Sequence, residues 1–595
     1  MTPLSLARRL LPLLGLGAIA LAGCGGDDGG PDTHALTLAL AGGNGQQGVP
    51  GEGLAEPFAV RVTDGAGAPV PEVTVSWSVV SGGGSIAASS TTGQDGVATA
   101  SYTVGPALGQ QRVDAAVSGA TGSPVSFTVT AVAAAPGLRI VGGNNQSGPA
   151  GSALPLPLVI EARNDAGAPL TGATVTWAVT AGGGQLSATS TTTGDNGRSS
   201  VSYTLGPDGG ANTVTASVDG LPGSPVTFTL TATAELVVAG GGNNVPERFG
   251  SDLWVQDGYA YTGTWGFRSQ PGNAVKVWRL DANGAPTLVN TVVVSGISAV
   301  SDVQVSPDGS LLVFTAEGGP NAGLHVYGLA DPANPTHIAN HQVSTGLHTG
   351  TLAAVGGKLY AFTAKNPSGA ALLIYDLSNP ASPTVVKSQA IPEHYGLHDT
   401  FVRDGIVFAF AWNTGVIIYD IGGGGRGGSP SNPVEISRIV TGSGEVREPA
   451  VHNGWWFHNP NTGEKRYLFV GQEGSGSIGS TSSGDIRVVD VSDLAHPVEV
   501  GFYRMRDDRR NMVAGAHNFW MDEEKEILYA AFYNGGVVAL DVSGTLSGDL
   551  AARELARVQP GGAQNTYTWG VQLSDGSLYA SDMESGLWQL RPSGL

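Results

Sequence analysis

The sequence is short of most features that would make its purpose plain. Cys24 is the one cysteine among 595 residues, so no disulfide can form within the chain. Charged residues make up 13% of the total, about half the usual share. The basic kind is scarcer, with 29 Lys and Arg against 49 Asp and Glu and a formal net charge of −20. So acidic a chain repels phosphate backbones, which excludes nucleic acid as a partner. The motifs of the common enzyme chemistries are missing as well: there is no GxSxG, HExxH, CxxC or Walker lysine loop. Helical periodicity is absent, and no apolar run reaches the roughly 20 residues that a membrane-spanning helix needs.

Turn formers and strand formers are what the chain does have. Gly 91 and Pro 35 punctuate short runs of Val, Thr, Tyr and Trp that alternate with small polar residues, which predicts an all-β protein. Residues 1–23 depart from this pattern. Arg8 and Arg9 form a positive start, and Leu10 to Leu21 form an apolar stretch too short to cross a bilayer. The stretch ends in Leu21-Ala22-Gly23-Cys24, which resembles the lipobox of bacterial lipoproteins. That resemblance implies cleavage before Cys24 and lipidation of its thiol, with residues 24–34 as a flexible tether. Loss of residues 1–23 would remove two arginines and no acid, moving the net charge from −20 to −22. An acidic surface repels anionic headgroups, so the membrane is expected to be held by the lipid alone. Similarity to lipoprotein sorting, with no Asp directly after the cysteine, implies the outer membrane or cell surface for a cell that has an outer membrane.

An internal repeat with a period of about 100 residues follows. Trp77 recurs as Trp177, Tyr102 as Tyr203 and Phe127 as Phe228. VSWSVVSGGG is echoed by VTWAVTAGGG, and SPVSFTVTA by SPVTFTLTA. Each copy has the content of a seven-strand sandwich. The motifs resemble bacterial immunoglobulin-like repeats of the invasin and intimin type (Big-1-like), which implies two such domains at 35–135 and 136–234. In that family the repeats mostly serve as stalks and sometimes in adhesion. Asp95-Gly96 and Asp195-Asn196-Gly197 read as turns, because one or two carboxylates fall short of the six to eight oxygens calcium prefers.

From residue 235 the period shortens to roughly 45–60, the length of four short strands with their turns. Seven units can be counted. Their landmark is a strand ending in an acid before a turn: LLIYD to Asp376, VIIYD to Asp420, IRVVD to Asp490 and VVALD to Asp541. Recurrence at one structural position argues that these acids accept turn amides and are not catalytic. The glycine-rich stretch 422–428 precedes no helix and reads as a loop, as does the polar stretch 471–485. Residues 235–595 resemble the LVIVD-repeat family, which implies a β-propeller of seven blades outside the cytoplasm and no particular substrate. The seventh unit holds three strands, so a fourth is expected from residues 236–239 (LVVA), joining the two ends and removing two exposed edges.

Each unit offers one strand to line the central channel, and the entry residues of these strands form a pattern. His398, His452 and His517 share an offset and are followed by Asp399, Asn453 and Asn518. Asp252 and Asp302 occupy the second position in the first two units, while His348 lies slightly earlier in its own. Symmetry then places them, with Trp569, at one channel mouth, near Trp455, Trp456 and Trp520. Three readings stay open. The ring could be structural, bonding neighbouring backbone amides. It could hold a small molecule, peptide or glycan. With imidazole the commonest metal ligand, His398, His452 and His517 could also hold a divalent metal, and no other cofactor is implied. The expectation is a surface-anchored binding or interaction module. An extracytoplasmic enzyme and a purely structural envelope protein are the alternatives. Nothing in the sequence speaks to oligomeric state.

Overall fold

The computed structural model describes residues 36–595 apart from 66, 133–135, 166–167, 243–247, 267–270, 282–283, 366–368, 393–395, 443–448, 475–483, 506–514 and 563–564. The expected signal peptide, Cys24 and the expected tether lie outside the described residues. Among the described residues the only helical turn is Ala551–Arg553, and no helix is long and apolar enough to cross a membrane.

Two sandwiches come first. In the earlier one a sheet of Thr37–Gly42, Phe58–Thr63 and Val97–Ala100 faces a five-stranded sheet that includes Thr74–Ser81, Gly109–Ala116 and Val125–Ala131. The alternation in Thr74–Ser81 aims Val75 and Trp77 inward, where Phe58, Trp77 and Phe127 pack with ring centroids 4.5–6.4 Å apart. The second copy repeats the arrangement around Trp177 and Phe228. The repeated triple glycine has a steric cause. A Cβ on Gly84 would sit 2.1 Å from the Tyr102 hydroxyl, and one on Gly184 would sit 2.2 Å from that of Tyr203. Those hydroxyls donate to buried amides, Tyr102 to Gln111 Oε1 at 2.7 Å and Tyr203 to Asn212 Oδ1 at 2.9 Å. Asp95 and Asn196 accept the backbone N–H two residues on, as turn formers do. Arg163 joins the two sandwiches through Glu52 at 2.9 Å.

The remaining strands form a β-propeller. Among the described residues they make seven sheets, six of them four-strand meanders, one with a short fifth strand added, and the seventh completed by a strand from the N-terminal side, and their first strands touch their neighbours in cyclic order. Burial follows strand position. In one sheet the second strand, Ile406–Ala411, and the third, Gly415–Asp420, are buried at every residue, because sheets on both sides cover them. Outer strands such as Thr384–Ala390 leave several side chains exposed. This explains why the landmark strands read as unbroken apolar runs.

The acid that ends each landmark strand does accept turn amides. Asp376, Asp490 and Asp541 each take one from the residue two positions on, at 2.8–3.0 Å. Asp420 takes four, from Gly422, Gly424, Arg426 and Gly428, so the glycine-rich loop wraps its carboxylate. Although burial opposes the charge, these donors hold its pKa down at about 2.

Ring closure uses both ends of the propeller. Glu235–Gly241 pairs antiparallel with Gly586–Ser593, Leu236 opposite Pro592 and Val238 opposite Leu590. Leu236 is buried against a cluster containing Leu590, Tyr529 and Ala531. Leu236→Ala should therefore cost about 2–4 kcal/mol, read as a lower denaturant midpoint of the propeller transition, and Leu236→Asp should cost more. An unchanged midpoint in both variants would contradict closure through this strand.

Candidate functional site at one channel mouth

The seven first strands run the same way along the channel, so residues at equivalent offsets share a height. At the entry height the rings of His348, His398, His452, His517 and Trp569 follow one another with centroids 4.3, 4.1, 4.1 and 4.5 Å apart. Trp265 closes the circle, 5.4 Å from Trp569 and 6.0 Å from His348. Six aromatic rings thus surround one mouth.

One residue further in lies a tier of carboxyls and amides. Asp252 and Asp302 share a hydrogen bond, and Asp252 also meets the Asn518 side chain. Asp302 Oδ2 accepts the Gly350 N–H of the next sheet at 2.8 Å. Asp399 accepts the Thr400 N–H at 2.7 Å and bonds the Thr349 side chain. The seventh sheet places Gly570 at this tier, where a Cβ would lie 2.3 Å from Asp252 Oδ1. Asn453 sits in the same tier with its buried side chain beside the His452 imidazole.

Two residues deeper the channel is aromatic. Phe401, Trp455, Trp520 and Trp254 follow one another at centroid separations of 5.2, 5.3 and 6.1 Å. Phe401 and Trp455 also line an open cavity of about 480 Å³ with Arg403 and Glu523. Trp455 and Trp520 therefore belong to the far end of the channel and not to the imidazole mouth. Trp456 is not in the channel at all. It is buried between sheets against Phe408, its indole N–H donating to Lys465 O at 2.9 Å.

Electrostatics divides the four imidazoles. Burial opposes charge on His348, yet the Glu317 carboxylate hydrogen-bonded to its Nδ1 raises its pKa above the ordinary value. Burial likewise works to raise Glu317, but the charge on His348 holds it low. His398 and His452 are driven well below the ordinary value by burial and then by neighbouring imidazoles. His517 is lowered to about 3 by burial, although its Nδ1 meets the Trp569 carbonyl at 2.7 Å. Three neutral imidazoles thus stand beside one paired imidazolium.

Glu473 is aimed between two of the neutral ones. Its Oε2 lies 3.6 Å from His398 Nε2 and 3.7 Å from His452 Nε2, while its other oxygen accepts the Tyr533 hydroxyl. Burial raises its pKa. Trp412 stacks on His398 at 4.9 Å, and Tyr533 meets His517 edge-on at 4.9 Å. Both carry a positive φ, 40° and 39°, a region costly for bulky side chains and most often tolerated at functional sites.

Sequence symmetry had named His348, His398, His452, His517 and Trp569, but not Trp265, Glu317, Trp412, Glu473 or Tyr533. A signal for the latter exists. Each is the seventh residue from the start of its sheet's second strand, in YAYTGTW, LLVFTAE, IVFAFAW, YLFVGQE and ILYAAFY. Glu473 had been absorbed into a polar loop.

Fold and site together define a β-propeller with a polar, ring-lined channel mouth. Residues 353–390 and 481–505 match the LVIVD repeat family. No curated protein matches the chain. Among solved structures, the D0-D1 domain of intimin is 21% identical, covering 33% of this chain and 95% of its own, with a TM-score of 0.18. The COPII outer coat vertex on membranes is 12% identical over 58% of this chain and 84% of its own, at 0.41. The Cps50 (Swd1) β-propeller domain of Myceliophteria thermophila is 12% identical over 58% and 97%, at 0.38.

The acidic tier sets a pH dependence. Burial and then the Asp302 charge raise Asp399 to about 8, against about 4 when unfolded. The native state therefore holds this proton more tightly. Its stabilising effect is full below about pH 4 and is lost as pH rises through about 8. Asp399→Asn, which cannot ionise, should flatten the loss of thermal stability between pH 5 and 9. A decline as steep as the wild type's would contradict this assignment.

Proposed function

We propose that the chain is an exported lipoprotein, held to a bacterial envelope membrane through Cys24, in which two immunoglobulin-like sandwiches carry a seven-bladed propeller that binds a ligand at its imidazole-lined mouth. The observation that carries the binding reading is the unsatisfied polarity of that mouth. His398 Nδ1 is buried without a hydrogen bond, and among the described residues the buried His452 Nδ1, Asn453 Oδ1 and Asp302 Oδ1 have no partner outside the His452–Asn453 and Asp252–Asp302 pairs. Leaving such atoms unpaired costs about 1–3 kcal/mol each, and a ring built only to join the sheets would pair them. Convergent polar groups among aromatic rings suit a small molecule, a peptide end or a glycan.

The sandwiches support a presenting role, lying between the lipidation motif and the propeller. They are tied to each other by Arg163 and Glu52, and to the propeller's C-terminal strand by Ser593, whose hydroxyl donates to Ala150 O at 2.6 Å.

Two measurements test this reading. Cys24→Ser should leave the detergent phase on partitioning, and an unchanged membrane fraction would refute the anchor. A glycan, peptide and metabolite array probed with the full chain should give a ligand that is lost in both His452→Ala and Trp569→Ala, each folded by circular dichroism. Full retention by both variants would remove the mouth as the binding site.

A further inference from the structure

Resting on the reading of this mouth as a binding site, we infer that His398, His452 and Glu473 form a centre for one divalent first-row transition-metal ion, with a coordination side open to the channel mouth. At 3.6 and 3.7 Å the Glu473 Oε2 is too far from the two Nε2 atoms for hydrogen bonds. Yet one ligand atom from each of the three residues lies within 4.8 Å of the others. Two ligands on one ion, each about 2.0–2.2 Å from it, stand about 3.0 Å apart at a right angle and about 3.4 Å apart at the tetrahedral angle. The two Glu473–imidazole separations must therefore shorten by a few tenths of an ångström, and the remaining ligand pair by at most about 1.4 Å, for the cluster to hold an ion.

The surroundings fit the same chemistry. Glu473 Oε1 is committed to the Tyr533 hydroxyl, leaving Oε2 as the free donor and fixing the carboxylate's direction. His398 is held by Trp412, stacked at 22°, and His452 by the rings of His398 and His517 on either side. His517 and His348 flank the centre with Nδ1 already engaged by the Trp569 carbonyl and the Glu317 carboxylate. The donor set selects the ion: two imidazoles and one carboxylate suit zinc, cobalt, iron or nickel, whereas calcium and magnesium take oxygen ligands. Three protein ligands leave room for water or for part of an organic ligand.

The test uses cobalt(II) as probe, on the untagged full chain stripped with a chelator. Binding of one equivalent should give visible ligand-field absorption, and calcium in excess should not displace it. Glu473→Gln and His452→Gln, chosen to keep volume, should each weaken cobalt binding by about 100-fold or more, whereas His496→Ala, on the exposed surface, should leave it unchanged. Absence of stoichiometric cobalt binding, or equal affinity in all three variants, would overturn the inference. An organic ligand that binds the stripped wild type and is lost in His452→Ala, with no cobalt bound, would overturn it while leaving the binding reading of the mouth intact. Cobalt bound as expected, with no organic ligand lost in His452→Ala, would uphold the metal centre and refute the organic-ligand reading.

Discussion

Antiparallel pairing between Glu235–Gly241 and Gly586–Ser593 ties the last sheet of the propeller to its beginning, and the site depends on that tie. Without it two sheet edges would stand open, and the sheets could splay from a common axis. With it, the seven first strands are held at one radius, and side chains far apart in sequence become neighbours. His348 and His517 are 169 positions apart in the numbering, yet both belong to one circle of rings. The close approach of imidazoles comes from closure and not from any attraction between them.

Closure also creates the energetic problem that the mouth has to solve. Acids and imidazoles are drawn into a space with little water, where an uncompensated charge is costly. Three devices answer it. Asp252, Asp302 and Asp399 have raised pKa values and share protons, backbone donors and amides. Glu317 and His348 pair. His398, His452 and His517 are driven to the neutral form. What remains is a carboxylate oxygen facing two neutral imidazole nitrogens at distances that satisfy none of them, and on that remainder the functional account rests. The landmark acids contrast with this, because turn amides close around Asp420 and leave it nothing further to bind.

Much of this was legible in the sequence, for a definite reason. Repetition converts a three-dimensional question into one of offsets: a residue at the same place in successive units must share a height and a radius. A shared offset marks His398, His452 and His517 as one ring, and its repetition marks Asp376, Asp420, Asp490 and Asp541 as turn acceptors. Its failures were failures to apply it twice. Trp265, Glu317, Trp412, Glu473 and Tyr533 stand at one offset from the starts of the second strands, but their differing chemistry hides the repeat from an eye looking for identity. The tryptophans were misplaced for another reason. Trp455 and Trp456 are adjacent, and the period-two alternation of a strand sends one into the channel and the other between sheets. What no offset can reveal is which atoms remain unbonded, since that depends on rotamers and on partners from other units.

A crystal structure of the full chain grown with cobalt(II), with anomalous difference data collected at the cobalt edge, tests the central claim most directly. The account predicts the six rings around one mouth and a single strong peak within bonding distance of His398 Nε2, His452 Nε2 and the Glu473 carboxylate. Imidazoles scattered over different faces would contradict it, as would a peak elsewhere on the molecule with none at the mouth.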